Sequence, residues 1–95
     1  MEIAEFQKLM FDLYVHNDRQ RGATATMLWL VEEVGELAEA VRRDDIDGIK
    51  EEIADCFAWV GSIANLYGID LETALLAKYP DMCPTCEKKP CICTD

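Results

Sequence analysis

Basic residues are scarce in this chain. Lys and Arg number 9 against 19 Asp and Glu, a net charge of −10. Like charge repels at long range, which excludes nucleic-acid polymers and anionic membrane surfaces as direct partners. Long apolar runs are missing too: none approaches the roughly 20 residues of a membrane span. The start, Met1-Glu2-Ile3-Ala4-Glu5, lacks the basic and apolar parts of a secretion signal. A soluble cytoplasmic protein is expected. Proline is absent before Pro80 and returns only at Pro84 and Pro90, so the helix breaker is confined to the end of the chain. No stretch alternates with period two for long enough to make a sheet. The one histidine, His16, sits in no Glu-x-x-His motif, which excludes a di-iron bundle centre. What is plentiful is apolar character: 51% of 95 residues, enough to exclude disorder and to build one small domain.

Helical spacing predicts four helices in an all-α bundle, followed by a short Cys-rich C-terminal tail. The helical domain is expected over 1–79 and the tail over 80–95. The first helix covers about 2–18, with a stripe of Ile3, Phe6, Leu9, Met10, Leu13 and Tyr14. The second covers about 24–43, with Met27, Leu30, Val31, Val34, Leu37, Ala38 and Val41. Asp44 to Gly48 form the turn before a third helix over about 47–67. Asp70 then caps a short fourth helix that reaches about Tyr79. Apolar residues wrap more than one face of the third helix (Ile53, Phe57, Trp59, Val60, Ile63), which points to burial against another copy, in a homodimer or homotetramer.

The acids are concentrated. Residues 32–55 hold ten of the nineteen, against Arg42, Arg43 and Lys50. The second helix carries Glu33-x-x-Glu36 and the third carries Glu52-x-x-Asp55. Residues three apart project from neighbouring positions on one helix face, so two such pairs on adjacent helices can converge four carboxylates. An all-oxygen set of this kind suits Mg²⁺, or Mn²⁺ in its place. Glu32 and Glu39 project opposite the apolar stripe and read as solvated surface. Glu52 shares a side with Cys56, Trp59, Ile63 and Leu66, where an unpaired carboxylate is costly.

The segment Leu30-Val31-Glu32-Glu33-Val34-Gly35-Glu36-Leu37-Ala38-Glu39-Ala40, followed by Glu52-Ile53-Ala54-Asp55, resembles the EExxE…ExxD signature of MazG-like nucleoside triphosphate pyrophosphohydrolases. Ala64-Asn65-Leu66-Tyr67-Gly68-Ile69-Asp70-Leu71-Glu72 is similar to the family's approach to its last helix. The likeness covers roughly residues 5–79. It implies an all-α oligomer that cleaves NTPs or dNTPs to the monophosphate and pyrophosphate, as a form of nucleotide-pool housecleaning. Glu33, Glu36, Glu52 and Asp55 would then be the catalytic Mg²⁺ ligands. Gly35, between the ligands, is expected to mark a close helix approach. Trp29 and Trp59 are candidates for stacking on a base, with core packing the competing reading. Arg21, Lys50 and Lys78 are candidate phosphate contacts, as rare cations in an acidic chain. Asn65 is a candidate substrate contact or a structural residue.

The tail reads Cys83-Pro84-Thr85-Cys86-x4-Cys91-Ile92-Cys93. Four soft ligands at this spacing fit Zn²⁺, although the central gap is shorter than in a usual zinc ribbon. Disulfides, or a redox-active or disordered tail, are the rivals. Cys56 reads as a buried apolar residue. The competing view of the whole chain is a non-catalytic helical interaction module with a metal-binding Cys tail.

Overall fold

In the computed structural model, which describes residues 1–94, a single residue joins the first two helices. α1 runs Ile3–Arg21 and α2 runs Ala23–Arg42. Gly22, between them, has φ +85°, a conformation that a Cβ disfavours. Its N–H closes α1 by donating to the Asp18 carbonyl at 2.8 Å. The expected end of the first helix near residue 18 is therefore corrected to Arg21. Arg19-Gln20-Arg21 are good helix formers, and both arginines suit the negative end of the helix dipole.

α3 spans Ile46–Leu66, with Asp45 as its N-cap accepting from the Gly48 N–H at 3.1 Å. Gly48 thus belongs to the first turn of α3, a correction to its expected place in the preceding turn. A Cβ there would lie 2.6 Å from Asp45 Oδ2, so the cap itself calls for glycine. The far end of α3 closes through Gly68 at φ +63°. Its N–H donates to Asn65 O at 3.3 Å and the Ile69 N–H to Ala64 O at 2.9 Å, the paired bonds of a Schellman cap. Asp70 then caps α4, Leu71–Lys78, by accepting from the Thr73 N–H at 3.0 Å.

α3 is the hub: it packs on both α2 and α1, while α4 rests on α1. No strand occurs among the described residues, and no described helix is long and apolar enough to cross a membrane. The faces turned inward are not the most apolar ones. α1 buries Gln7, Met10 and Asp18, leaving Leu9, Leu13 and Tyr14 of its expected stripe exposed. On α2 the row Thr26, Leu30, Glu33, Leu37 and Ala40 is buried or half-buried, whereas Met27, Val31, Val34 and Val41 are exposed. α3 buries Gly61, Ser62 and Ala64, and Met10 packs close enough to touch a Cβ at Gly61.

Gly35 is a third correction. It is exposed, with no atom within 4 Å of where its Cβ would sit, because it lies off the row of α2 that meets α3. No helix of this chain approaches it. Ile53, Phe57 and Val60 of α3 are also exposed. The accessible surface of 7127 Å² exceeds the roughly 5,500 Å² of a compact chain of this mass.

Candidate active site

α2 delivers Glu33 and Glu36, and α3 delivers Glu52, to one place along their contact. Oxygens of Glu33, Glu36 and Glu52 lie within 4.8 Å of one another. Glu33 and Glu52 are half-buried because they sit in the inward rows of their helices, and Glu36 is exposed at the rim. Glu33 Oε2 and Glu52 Oε2 are buried with no hydrogen-bond donor from the protein. Two acceptors in that position need either a proton or a cation.

The proton option is visible in the acidity of the cluster. A hydrogen bond from protonated Glu33 to Glu52, then burial, then the charges of Glu36, Glu52 and Asp55, push Glu33 up to about 7 from an ordinary 4.5. Glu36 is raised as well, chiefly by the charge of Glu52. Burial, followed by the charges of Glu33, Glu52 and Asp55, pushes the Cys56 thiol up, so it stays neutral beside the acids. The cation option fits the donors: three convergent carboxylates, all hard oxygens, suit a divalent ion of the Mg²⁺ type.

Asp55 stands outside the trio of convergent oxygens but close enough for its charge to raise Glu33. It lines an adjoining cavity of about 310 Å³, together with Tyr14, Asn17, Asp18, Arg21, Ala58, Trp59 and Ser62. Arg21 is fixed there by two contacts. Its Nη1 donates to Asp18 Oδ1 at 2.8 Å, and its guanidinium lies 4.8 Å over the Trp59 ring. Trp59 stacks on Trp29 with centroids 6.0 Å apart and planes 8° from parallel. Trp29 is 45% exposed. Arg21 and the tryptophan pair are thus gathered beside the acids.

The remaining candidates are not. Lys50 and Lys78 are exposed and line neither this cavity nor the groove beside Glu36 and Glu52. The Asn65 amide is engaged at both ends by Gln7, with Gln7 Nε2 donating to Asn65 Oδ1 at 3.0 Å and Asn65 Nδ2 donating to Gln7 O at 3.3 Å. Gln7 extends the lock by accepting from the Leu71 N–H at 2.8 Å. Asn65 therefore ties α1 to the α3–α4 corner. The four tail cysteines gather in a cluster of their own.

Two residues of the site are not evident from the sequence. Asp18 is only 1% exposed, and its Oδ2 has no donor. The available signal is its place on the row Gln7, Met10, Tyr14, Asp18, which helix spacing puts on one face. Arg43 lines the groove with Glu36 and Glu52, a cation supplied by the C-cap of α2.

A family model described as the MazG nucleotide pyrophosphohydrolase domain matches residues 21–87. The match takes in both carboxylate pairs and the arginine of the cavity. No curated protein matches the chain.

Proposed function

The chain belongs to the MazG nucleotide pyrophosphohydrolase family, and from that premise we propose a Mg²⁺-dependent hydrolase of nucleoside triphosphates, with Mn²⁺ able to substitute. It takes an NTP or dNTP and water to the monophosphate and pyrophosphate, clearing nucleotides from the cytoplasmic pool. The observation that carries this reading is the pair of buried, donorless oxygens on Glu33 and Glu52 beside Glu36.

Glu33, Glu36 and Glu52 would hold the ion, with Asp55 as the fourth carboxylate. A divalent ion in that position supplies charge neutralisation for the triphosphate and a more acidic attacking water. The chain's own residues do the positioning. Arg21, oriented by Asp18 and Trp59, presents a cation from the cavity wall to phosphate oxygens. Arg43 offers a second on the opposite side of the acids. Trp59 lines the cavity and Trp29, half-exposed, stacks on it, so the tryptophan pair is the aromatic surface offered to a base. Asp55 and Asp18 keep the cavity negative, which favours a nucleotide that arrives with its cation over one that arrives bare.

The working form is a homodimer or homotetramer. Met27, Val31, Val34 and Val41 form an exposed row at the 3–4 spacing of a helix-packing seam, and Ile53, Phe57 and Val60 form another. A second copy covering them accounts for the excess surface of the single chain. Nucleic-acid polymers and membranes have no part in this reading, given the net charge of −10.

The test is pyrophosphate release from a panel of NTPs and dNTPs with Mg²⁺. Release that is lost in Glu36→Gln and Asp55→Asn supports the proposal. Absence of release across the panel, or release unchanged in both variants, replaces it with the non-catalytic interaction module.

A further inference from the structure

The family match ends at residue 87, between the second and third cysteines of the tail, so it does not contain the cluster that the tail builds. We infer that Cys83, Cys86, Cys91 and Cys93 form a closed, structural Zn²⁺ site that folds the tail and is independent of the carboxylate centre.

The sulfur geometry is the first support. All four Sγ atoms lie within 4.8 Å of one another. Cys83 and Cys93 are 3.8 Å apart, and Cys86 and Cys91 are 3.9 Å apart. A tetrahedral zinc with Zn–S of about 2.3 Å has S···S edges of about 3.8 Å. A disulfide needs about 2.05 Å; all four residues are free thiols. Thiols arranged at the corners of a tetrahedron, with edges of this length, match the ion and not the bridge.

The backbone around the sulfurs is a second, independent support. The Ile92 N–H points at Cys86 Sγ at 3.5 Å and the Cys93 N–H at Cys91 Sγ at 3.3 Å, supplying donors to thiolates. The first pair is set in a tight turn, in which the Glu87 N–H donates to Cys83 O at 2.8 Å and the Cys83 N–H to Lys88 O at 3.0 Å. Glu87 holds φ +59° to make that turn.

Among the described residues, what else holds the tail is turn hydrogen bonds and the exposed Lys89–Asp81 ion pair. Met82 and Ile92 are exposed, so no apolar core forms here. Small segments without a core depend on a metal or a cross-link. On binding, four thiols give up their protons to solvent and four Zn–S bonds form, leaving no open position for a water or substrate. The role is therefore structural.

The full-length chain, purified without chelators under reducing conditions, should carry about one zinc per chain. The double variant Cys86→Ser/Cys91→Ser should fall to about one tenth of that or less, while Glu36→Gln keeps its zinc. Replacement by Co²⁺ should give the intense visible bands of tetrahedral thiolate coordination, absent in the double variant. Any of four results overturns the site: no zinc, zinc retained by the double variant, iron as the stoichiometric metal, or two disulfides in place of thiols. Because the readout is metal content, its failure leaves the hydrolase reading standing, and the reverse also holds.

Discussion

Glu33 on α2 and Glu52 on α3 face each other across the central helix contact, each with its Oε2 buried and without a donor. A proton on Glu33 relieves that opposition in the absence of metal, and Glu33 is accordingly a weaker acid, its pKa raised from an ordinary 4.5 to about 7. A divalent ion relieves it in a second way, and the two compete.

The competition gives a pH signature in stability. A carboxyl whose pKa is higher in the folded than in the unfolded state binds more protons when folded, so its contribution is greatest at low pH. The metal-free protein should therefore lose stability as pH rises from about 4.5, with the loss complete above about 7. Thermal melts across that window with EDTA should show a falling midpoint, flattened in Glu33→Gln. Mg²⁺ should raise the midpoint most at the alkaline end. A wild-type midpoint that climbs through the window without metal contradicts this account.

Removing a ligand should separate the site from its surroundings. Glu52→Gln should lower kcat/KM by at least about 100-fold, since even residues behind the ligands are worth 10–100-fold. Asp12→Asn serves as the control: Asp12 is exposed on α1 and pairs with exposed Lys8, away from the acids. Its stability should stay within about 0.5 kcal/mol of wild type by urea denaturation, with activity unchanged.

Asp18 should matter twice. It is buried, and its partner Arg21 is 24% exposed. Asp18→Ala leaves that guanidinium unpaired, at a cost of about 2 kcal/mol, below the usual range for buried pairs because water still reaches Arg21. Urea titration measures this. The same change frees Arg21 from its orientation over Trp59, so KM for the triphosphate should rise several-fold while secondary structure by circular dichroism is kept. An unchanged KM would remove Arg21 from the substrate site.

Assembly can be tested on the exposed rows. Val34→Glu puts a charge in the middle of the α2 row, and Phe57→Glu does so on α3. Light scattering should show the wild type as a dimer or tetramer and at least one variant shifted to monomer. A monomeric wild type would mean that these rows are solvated as they stand.

Much of the site is legible in the amino-acid sequence. Glu33-x-x-Glu36 and Glu52-x-x-Asp55 are spaced by helix geometry, and helix geometry is local, so the convergence of acids on two neighbouring helices can be read directly. Asp70 is legible as a helix start for the same reason, and Asp45 carries the same chemistry inside a segment that reads as a turn. Asp18 is not legible, because a polar residue becomes buried only when another helix covers it. Arg43 reads as a helix terminus, and nothing local reveals that a groove with Glu36 and Glu52 opens beside it.

The scarcity of basic charge looks different beside that site. By itself the sequence determined an all-α chain, the cap of its last helix at Asp70, the crowding of acids and the absence of enough cations to balance them. These follow from composition and from a periodicity that each helix carries alone. α2, however, carries two rows at equivalent spacing: Thr26, Leu30, Glu33, Leu37 and Ala40, and the more apolar Met27, Val31, Val34, Ala38 and Val41. Only the tertiary structure decided that the first row faces α3. The reason is that a helix does not choose its buried face in isolation. The choice is made by the helices packed against it, and here it brought Glu33 to Glu52 and left the apolar row outside.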